Sequence, residues 1–224
     1  MDGCRDRAPE RREQRGASTA LSRAVEGGAP VVDVRIPRRQ VAFGRRDATA
    51  DGYERARAIA EAFGFDPVER SVGGRAVAHT GRTLSFAVAL PSSEPRSGIG
   101  ARYETATRAV LEALRGLGAD VEAGEPDAAF CPGDHSVRVA GGGKIAGIAQ
   151  RVRTDSAVVA GCVIASATDA DEIAAVLDPV YRALDVPFDP ASVGSVSAAG
   201  GPGDPDRVGR ALRTALTDAS WANR

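Results

Sequence analysis

Gly142-Gly143-Lys144-Ile145-Ala146-Gly147-Ile148-Ala149-Gln150-Arg151 is the stretch on which the reading of this chain turns. Glycines wall the run from Gly141 to Gly147, and residues 144–151 have the pattern of a strand growing out of it. Lys144 is the single lysine in 224 residues, and every other basic side chain is arginine. A guanidinium is planar, larger and never deprotonated. A lone ammonium kept among glycines therefore suits a place where one compact charge must meet a carbonyl, a phosphate or a thiolate. The plainer alternative is a compositional bias against lysine with one accidental survivor. The run is not a nucleotide-binding P-loop, since Arg138 stands where the first glycine is needed and Ile145 follows the lysine in place of Ser or Thr. It also lacks the third glycine of a dinucleotide fingerprint, and no Gly-x-Ser-x-Gly elbow occurs in the chain.

Working outward, strands are expected at 31–36, 40–44, 67–71, 75–79 and 83–90, where Leu84, Phe86, Val88 and Leu90 share a face. Further strands are expected at 119–122, 136–140 and 156–165. Helices are expected at 17–26, from Asp51 to Gly64, and from about Gly100 to Leu117, the last with Tyr103, Ala106, Val110, Leu111, Leu114 and Leu117 at helical spacing. Thr168 and Asp171 have the spacing of a capping box for a helix carrying Ile173, Val176, Leu177 and Tyr181. Asp204 as cap and Pro205 in the first turn begin a final helix. Helices and hairpin-like strands interleave irregularly, so the expected class is α+β, with mixed or antiparallel sheets and flanking helices. Three parts are expected: a mobile start at 1–16, a catalytic unit at 17–193, and a linker with a C-terminal helix at 194–224.

With 43% hydrophobic residues, the chain can bury a core of enzyme size, and only 4% aromatic content makes stacking platforms for single-stranded nucleic acid improbable. The first 50 residues hold 11 arginines against 7 acidic residues, within a net charge of -1 overall. Three cysteines without a Cys-x-x-Cys pair disfavour a disulfide framework, and Cys131 with His135 lacks the further ligands a zinc site needs. The amino terminus has no apolar signal stretch, and the longest apolar run, 157–165, is far short of the ~20 residues that cross a bilayer. A cytoplasmic protein with no metal, no nucleic-acid partner and no membrane is expected.

A second segment joins the first: Arg70-Ser71-Val72-Gly73-Gly74-Arg75-Ala76-Val77-Ala78-His79. Adjacent glycines let backbone amides approach a ligand, while Arg70 and Arg75 bring charge for a phosphate or carboxylate. On residues alone, an ordinary hairpin turn with surface arginines explains this stretch as well, and a lone His79 is more often structural. Gly-Gly-Arg-Ala-Val-x-His followed some 65 residues later by Gly-x-Lys-Ile-Ala-Gly-x-Ala-Gln-Arg, with Val41-Ala42-Phe43-Gly44-Arg45 upstream, resembles the lipoate-protein ligase and octanoyltransferase family.

The resemblance implies an α+β fold shared with biotin-protein ligases and an enzyme that attaches octanoyl or lipoyl groups to a lysine. By position, Gly73, Gly74, Arg75 and Ala76 would line the carboxyl end of the acyl chain. Lys144 would contact its carbonyl, and Arg70, His79, Gly143 and Gly147 would complete the acyl-binding set. Cys131-Pro132-Gly133-Asp134-His135-Ser136 resembles the place where one octanoyltransferase branch keeps a nucleophilic cysteine. Cys131 as an acyl-thioester nucleophile assisted by Lys144 is therefore expected, although a cysteine in an apolar chain is often just a small buried hydrophobe. Cys162 is assigned to the core. Glu69, Val72 and Ala160 depart from the family pattern.

No tightly bound cofactor is expected. The implied substrates are lipoate or an octanoyl donor, with ATP and Mg only for a ligase. The implied partners are a lipoyl carrier domain, either a 2-oxoacid dehydrogenase E2 or a glycine-cleavage H-type protein, and an acyl carrier protein as a possible donor. An ATP-dependent ligase working through lipoyl-AMP and a non-catalytic acyl-binding module stand as alternatives.

Overall fold

The computed structural model describes residues 26–70, 74–92 and 95–221. The expected mobile start, most of the helix at 17–26, and Gly73 lie outside the described residues. Among the described residues, nine strands form two sheets. The larger is built from β1 (Val31–Arg35), β5 (Leu84–Pro91), β9 (Ser156–Val163), β8 (Lys144–Val152), β7 (Ser136–Val139) and β6 (Val121–Ala123), in that order and antiparallel throughout. The smaller places β2 (Gln40–Phe43) between β3 (Asp66–Glu69), to which it runs parallel, and β4 (Val77–His79), to which it runs antiparallel. The helices are a four-residue α1 (Arg45–Ala48), α2 (Tyr53–Ala62), α3 (Ile99–Gly116), α4 (Ala167–Ala183) and α5 (Pro205–Asp218). The α+β class is as expected. Among the described residues, no helix is long and apolar enough to cross a membrane.

Two apolar cores follow from the alternation of the strands. On β9, Val159 and Val163 point into a core shared with Leu84, Phe86, Val88 and Leu90 of β5, Val110 and Leu114 of α3, and Val208, Leu212 and Leu216 of α5. Cys162 and Ile164 belong to the other core, with Val41 and Phe43 of β2, Tyr53 and Ala56 of α2, and Ile173, Leu177 and Tyr181 of α4. Burying each large apolar side chain is worth roughly 1.5–3 kcal/mol, so the period-two pattern fixes which face of β9 meets which core. Phe130 and Tyr181 are part of the second core, and Cys131 packs against it.

Several boundaries moved for local reasons. The helix that carries Tyr181 is capped by Ser166, whose hydroxyl accepts the Asp169 N–H at 3.1 Å, and not by Thr168 with Asp171. Asp169 is itself buried, accepting bonds from Ser166 and Thr80 and pairing with Arg82 at 2.8 Å, so the earlier pair is the one with an anchor. Strand β4 begins at Val77 because Arg75 and Ala76 are used by the preceding turn. Asp204 caps α5 as expected, accepting from the N–H groups of Asp206 and Arg207. The stretch before it, read as a connection, buries Val196 and Ala199 in the first core, and Gly194 N–H donates to the Lys144 carbonyl at 2.9 Å.

Candidate active site

Lys144 opens β8 and is 1% exposed. Its Nζ donates to Glu125 Oε1 at 2.9 Å, to the Phe130 carbonyl at 3.0 Å and to the Cys131 carbonyl at 3.0 Å, with the Phe130 ring centroid 5.1 Å away. An ammonium has three N–H donors, so every one is engaged. Such pairing is what makes a buried charge tolerable. The expected glycines make the space. A Cβ at Gly143 would lie 2.6 Å from the Val193 carbonyl carbon, where residues around Val193 run beside Lys144 in a parallel bridge. A Cβ at Gly147 would come 3.2 Å from Lys144 Cε.

Cys131 follows directly, in the left-handed region at φ +43, a conformation a non-glycine residue adopts only when its surroundings hold it there. Tyr181 does the holding. Its hydroxyl accepts the Cys131 N–H at 2.6 Å and donates to the Ala76 carbonyl at 2.9 Å, tying the cysteine loop to the 74–76 turn. Burial pushes the Tyr181 hydroxyl well above the ordinary phenol range, which keeps its proton available to donate.

The turn approaches the sulfur closely. Gly74 has φ +97, and a Cβ there would sit 2.6 Å from Cys131 Sγ, so only glycine allows the contact. Arg70 Nη2 stands 3.3 Å from Sγ and also donates to the Arg75 carbonyl. Arg70 Nε is buried without a partner among the described residues. Arg75 is committed differently. Its guanidinium bonds Asp47 Oδ1 at 3.1 Å, and the buried Asp47 accepts the Gly44 N–H on Oδ2 at 3.0 Å. That clamp fixes the end of β2 against the turn, so Arg75 acts through Asp47 and Ala76 through its carbonyl to Tyr181. His79 is buried, with Nδ1 3.1 Å from Thr83 Oγ1. Its burial and the charges of Arg70 and Arg35 lower its pKa to about 4, so the ring is neutral at pH 7.

Cys162 pairs with Gly147 across β8 and β9. Burial raises its thiol pKa, with the Gly147 backbone and the Lys144 charge pulling the other way. His135, four residues after Cys131, stacks on Tyr103 with ring centroids 3.7 Å apart. No group of three or more His, Cys, Asp or Glu placed to hold a metal occurs among the described residues.

The fold thus brings together Lys144, Cys131, Arg70, Gly74, Gly143 and Gly147, with Arg75 and Ala76 behind them. Sequence reasoning missed Glu125, Asp47 and the hydroxyl role of Tyr181. Only Tyr181 left a trace, as the one polar-tipped residue in an apolar helical stripe.

Residues 30–216 match the lipoyl protein ligase A/B catalytic domain, and the chain belongs to that family. It is 32% identical over 134 residues to an octanoyl-[GcvH]:protein N-octanoyltransferase of Geobacillus kaustophilus, covering 59% of this chain and 47% of that protein. It is 28% identical over 116 residues to a lipoyl-[GcvH]:protein N-lipoyltransferase of Listeria monocytogenes, covering 52% and 41%. The chain thus spans about half the length of the curated relatives it matches. Among solved structures, a lipoate-protein ligase A bound with ATP superposes with a TM-score of 0.69 at 24% identity, over 90% of this chain and 79% of that one. A bi-partite lipoate protein ligase from Thermoplasma acidophilum, described with its E2 lipoyl domain, gives 0.64 at 20% identity, over 97% and 83%. These two likenesses concern the fold.

Proposed function

We propose that this chain is a protein acyltransferase that moves an octanoyl or lipoyl group onto a lysine of a lipoyl carrier domain through a thioester on Cys131. The observation that carries the reading is the setting of one sulfur. Cys131 Sγ lies against the Gly74 backbone and 3.3 Å from Arg70 Nη2, while the carbonyl of the same residue is held by the Lys144 ammonium. The relatives named octanoyl- and lipoyl-[GcvH]:protein transferases support the same chemistry, with a GcvH-type carrier as donor and a second protein as acceptor.

In the first half-reaction the Cys131 sulfur attacks the acyl carbonyl. A C–S bond forms, the bond to the donor's heteroatom breaks, and the departing group leaves with a proton. Arg70 and the Lys144 ammonium supply the positive charge that stabilises the tetrahedral oxyanion. For Lys144 to reach it, one of its three acceptors must yield, and Glu125 is the only side chain among them. In the second half-reaction the carrier lysine attacks the thioester carbonyl, the C–N bond forms, and Cys131 is regenerated.

Intact-mass measurement after exposure to an octanoylated GcvH-type carrier, or to an octanoyl thioester, tests this. Wild type is expected to gain one octanoyl group and the Cys131→Ala variant none. Full transfer by Cys131→Ala would overturn the thioester route. Pyrophosphate release from lipoate and ATP would instead establish the adenylating ligase, and octanoate binding without transfer the non-catalytic module.

A further inference from the structure

Glu125 lies two residues beyond β6, and its carboxylate meets the Lys144 ammonium from 19 positions upstream in the chain. One oxygen, Oε1, accepts from Lys144 Nζ at 2.9 Å. The other, Oε2, is buried and has no partner among the described residues. A buried carboxylate oxygen without a donor costs desolvation that nothing in the resting fold returns. It is an acceptor waiting for an N–H. Lys144 Nζ cannot supply one, because its remaining two donors are spent on the Phe130 and Cys131 carbonyls.

We infer that Glu125 is the base that takes a proton from the incoming carrier lysine, a role that rests on the thioester reading above. A lysine side chain in water is an ammonium with a pKa of about 10.4, and it must lose a proton before its nitrogen can attack. The carrier's ammonium gives one proton to the Glu125 carboxylate and its nitrogen attacks the acyl carbon on Cys131. The C–N bond forms, the C–S bond breaks, and the sulfur leaves with the second proton. The products are the amide, the Cys131 thiol and a protonated Glu125, which returns its proton to solvent. Protons and charge balance without any further reactant. Lys144 makes the arrangement workable twice over. Its ammonium pairs with the Glu125 carboxylate in the resting site, and when an acyl oxygen takes over that ammonium the carboxylate is freed for the incoming amine. By reversal, the same carboxyl group protonates the departing amine when the donor is itself an acyl-lysine.

The test compares wild type with Glu125→Gln, which keeps an oxygen for Lys144 but cannot accept a proton. Both are loaded with a short octanoyl thioester, whose thiol leaving group does not need this base. The acyl-enzyme is then offered either carrier-domain lysine or hydroxylamine, which is already uncharged at pH 7. Glu125→Gln is expected to show the octanoyl mass increase and to be cleaved by hydroxylamine as fast as wild type. Its transfer to carrier lysine should be about 10²–10⁴-fold slower, with the deficit shrinking as pH rises and the lysine loses its proton unaided. Glu125→Asp, which keeps a carboxylate, should retain the wild-type pH profile, and it carries the test should the glutamine variant fold poorly. Equal slowing of lysine and hydroxylamine reactions, or unimpaired lysine transfer, would overturn the assignment. A wild type that takes no octanoyl group would remove the thioester reading and this role together, whereas a loading wild type with an unimpaired Glu125→Gln removes this role alone.

Discussion

Cys131 and Cys162 both lie within reach of the Lys144 charge and at the edge of the same apolar core, yet their backbone settings and the groups on their sulfurs differ. Cys131 sits on a loop at φ +43, pinned by Tyr181, with a guanidinium nitrogen 3.3 Å from its sulfur and glycine backbone against it. Cys162 sits in the middle of a six-stranded sheet, in register with Gly147, with its thiol pKa raised by burial. Proximity to a positive charge is therefore not what separates a candidate nucleophile from a core cysteine. What separates them is that Cys131 sits on a left-handed loop with a guanidinium donor on its sulfur, whereas Cys162 is held within a strand ladder.

The contrast can be broken most directly at Cys131 itself. Cys131→Ala should abolish octanoyl loading while leaving the fold intact, as read by intact mass and circular dichroism. Loss of loading in Cys162→Ala instead would exchange the two roles. Lys144→Ala comes next. Removing the ammonium strips charge from the oxyanion, an expected loss of about 10²–10³ in transfer rate. It also leaves Glu125 and two carbonyls without their donor, at a cost of about 3 kcal/mol in unfolding free energy, read from the shift of the denaturation midpoint.

The framework behind Cys131 has its own signature, in pH. His79 begins to take up a proton near pH 6.5 when unfolded but only near pH 4 when folded. The unfolded chain therefore binds more protons between these values, so stability is fully present above pH 6.5 and falls as pH drops toward 4. The total loss should be on the order of 3 kcal/mol. Denaturant midpoints at pH 7.5 and 4.5 should differ accordingly in wild type, and the His79→Gln variant should lose most of that difference.

A smaller effect is expected from Tyr181→Phe, which leaves the Cys131 N–H and the Ala76 carbonyl without their shared partner. The expected cost is about 1–3 kcal/mol. Loading should slow while the pH dependence stays unchanged, because the hydroxyl positions the loop and does not react. Cys162→Ala should do least, about 1 kcal/mol in stability with loading unchanged. In wild type, alkylation of Cys162 should be slow at pH 7 and rise only well into the alkaline range, because a raised thiol pKa leaves little thiolate at neutral pH.

Much of this was legible in the chain itself, and the reason differs by feature. Period-two runs at 84–90 and 156–163 and the helical stripe from Tyr103 to Leu117 specify their elements locally, because each buries one face whatever it packs against. Lys144 stood out by composition, and Gly74, Gly143 and Gly147 by their neighbours in the motifs. The helix cap at Ser166 was misplaced at Thr168 because two residues of the right type fell at the right spacing. Only the partners of buried Asp169, Thr80 and Arg82 in the loop after β4, distinguish them. Arg75 reads from sequence as a ligand-facing charge; the structure adds that its Nη1 bonds Asp47, 28 residues upstream.

The sequence by itself determined the α+β class, the single ammonium among glycines and the two motif segments, since propensity, periodicity and composition act over a few residues. Only the tertiary structure decided that Lys144 is saturated by Glu125 and two carbonyls, that Tyr181 holds Cys131 in a left-handed turn, and that Arg70 faces the sulfur. Those contacts join residues 13 to 61 positions apart. Such pairings carry no local signal, because their energy exists only once separate strands and helices have excluded water from the space between them.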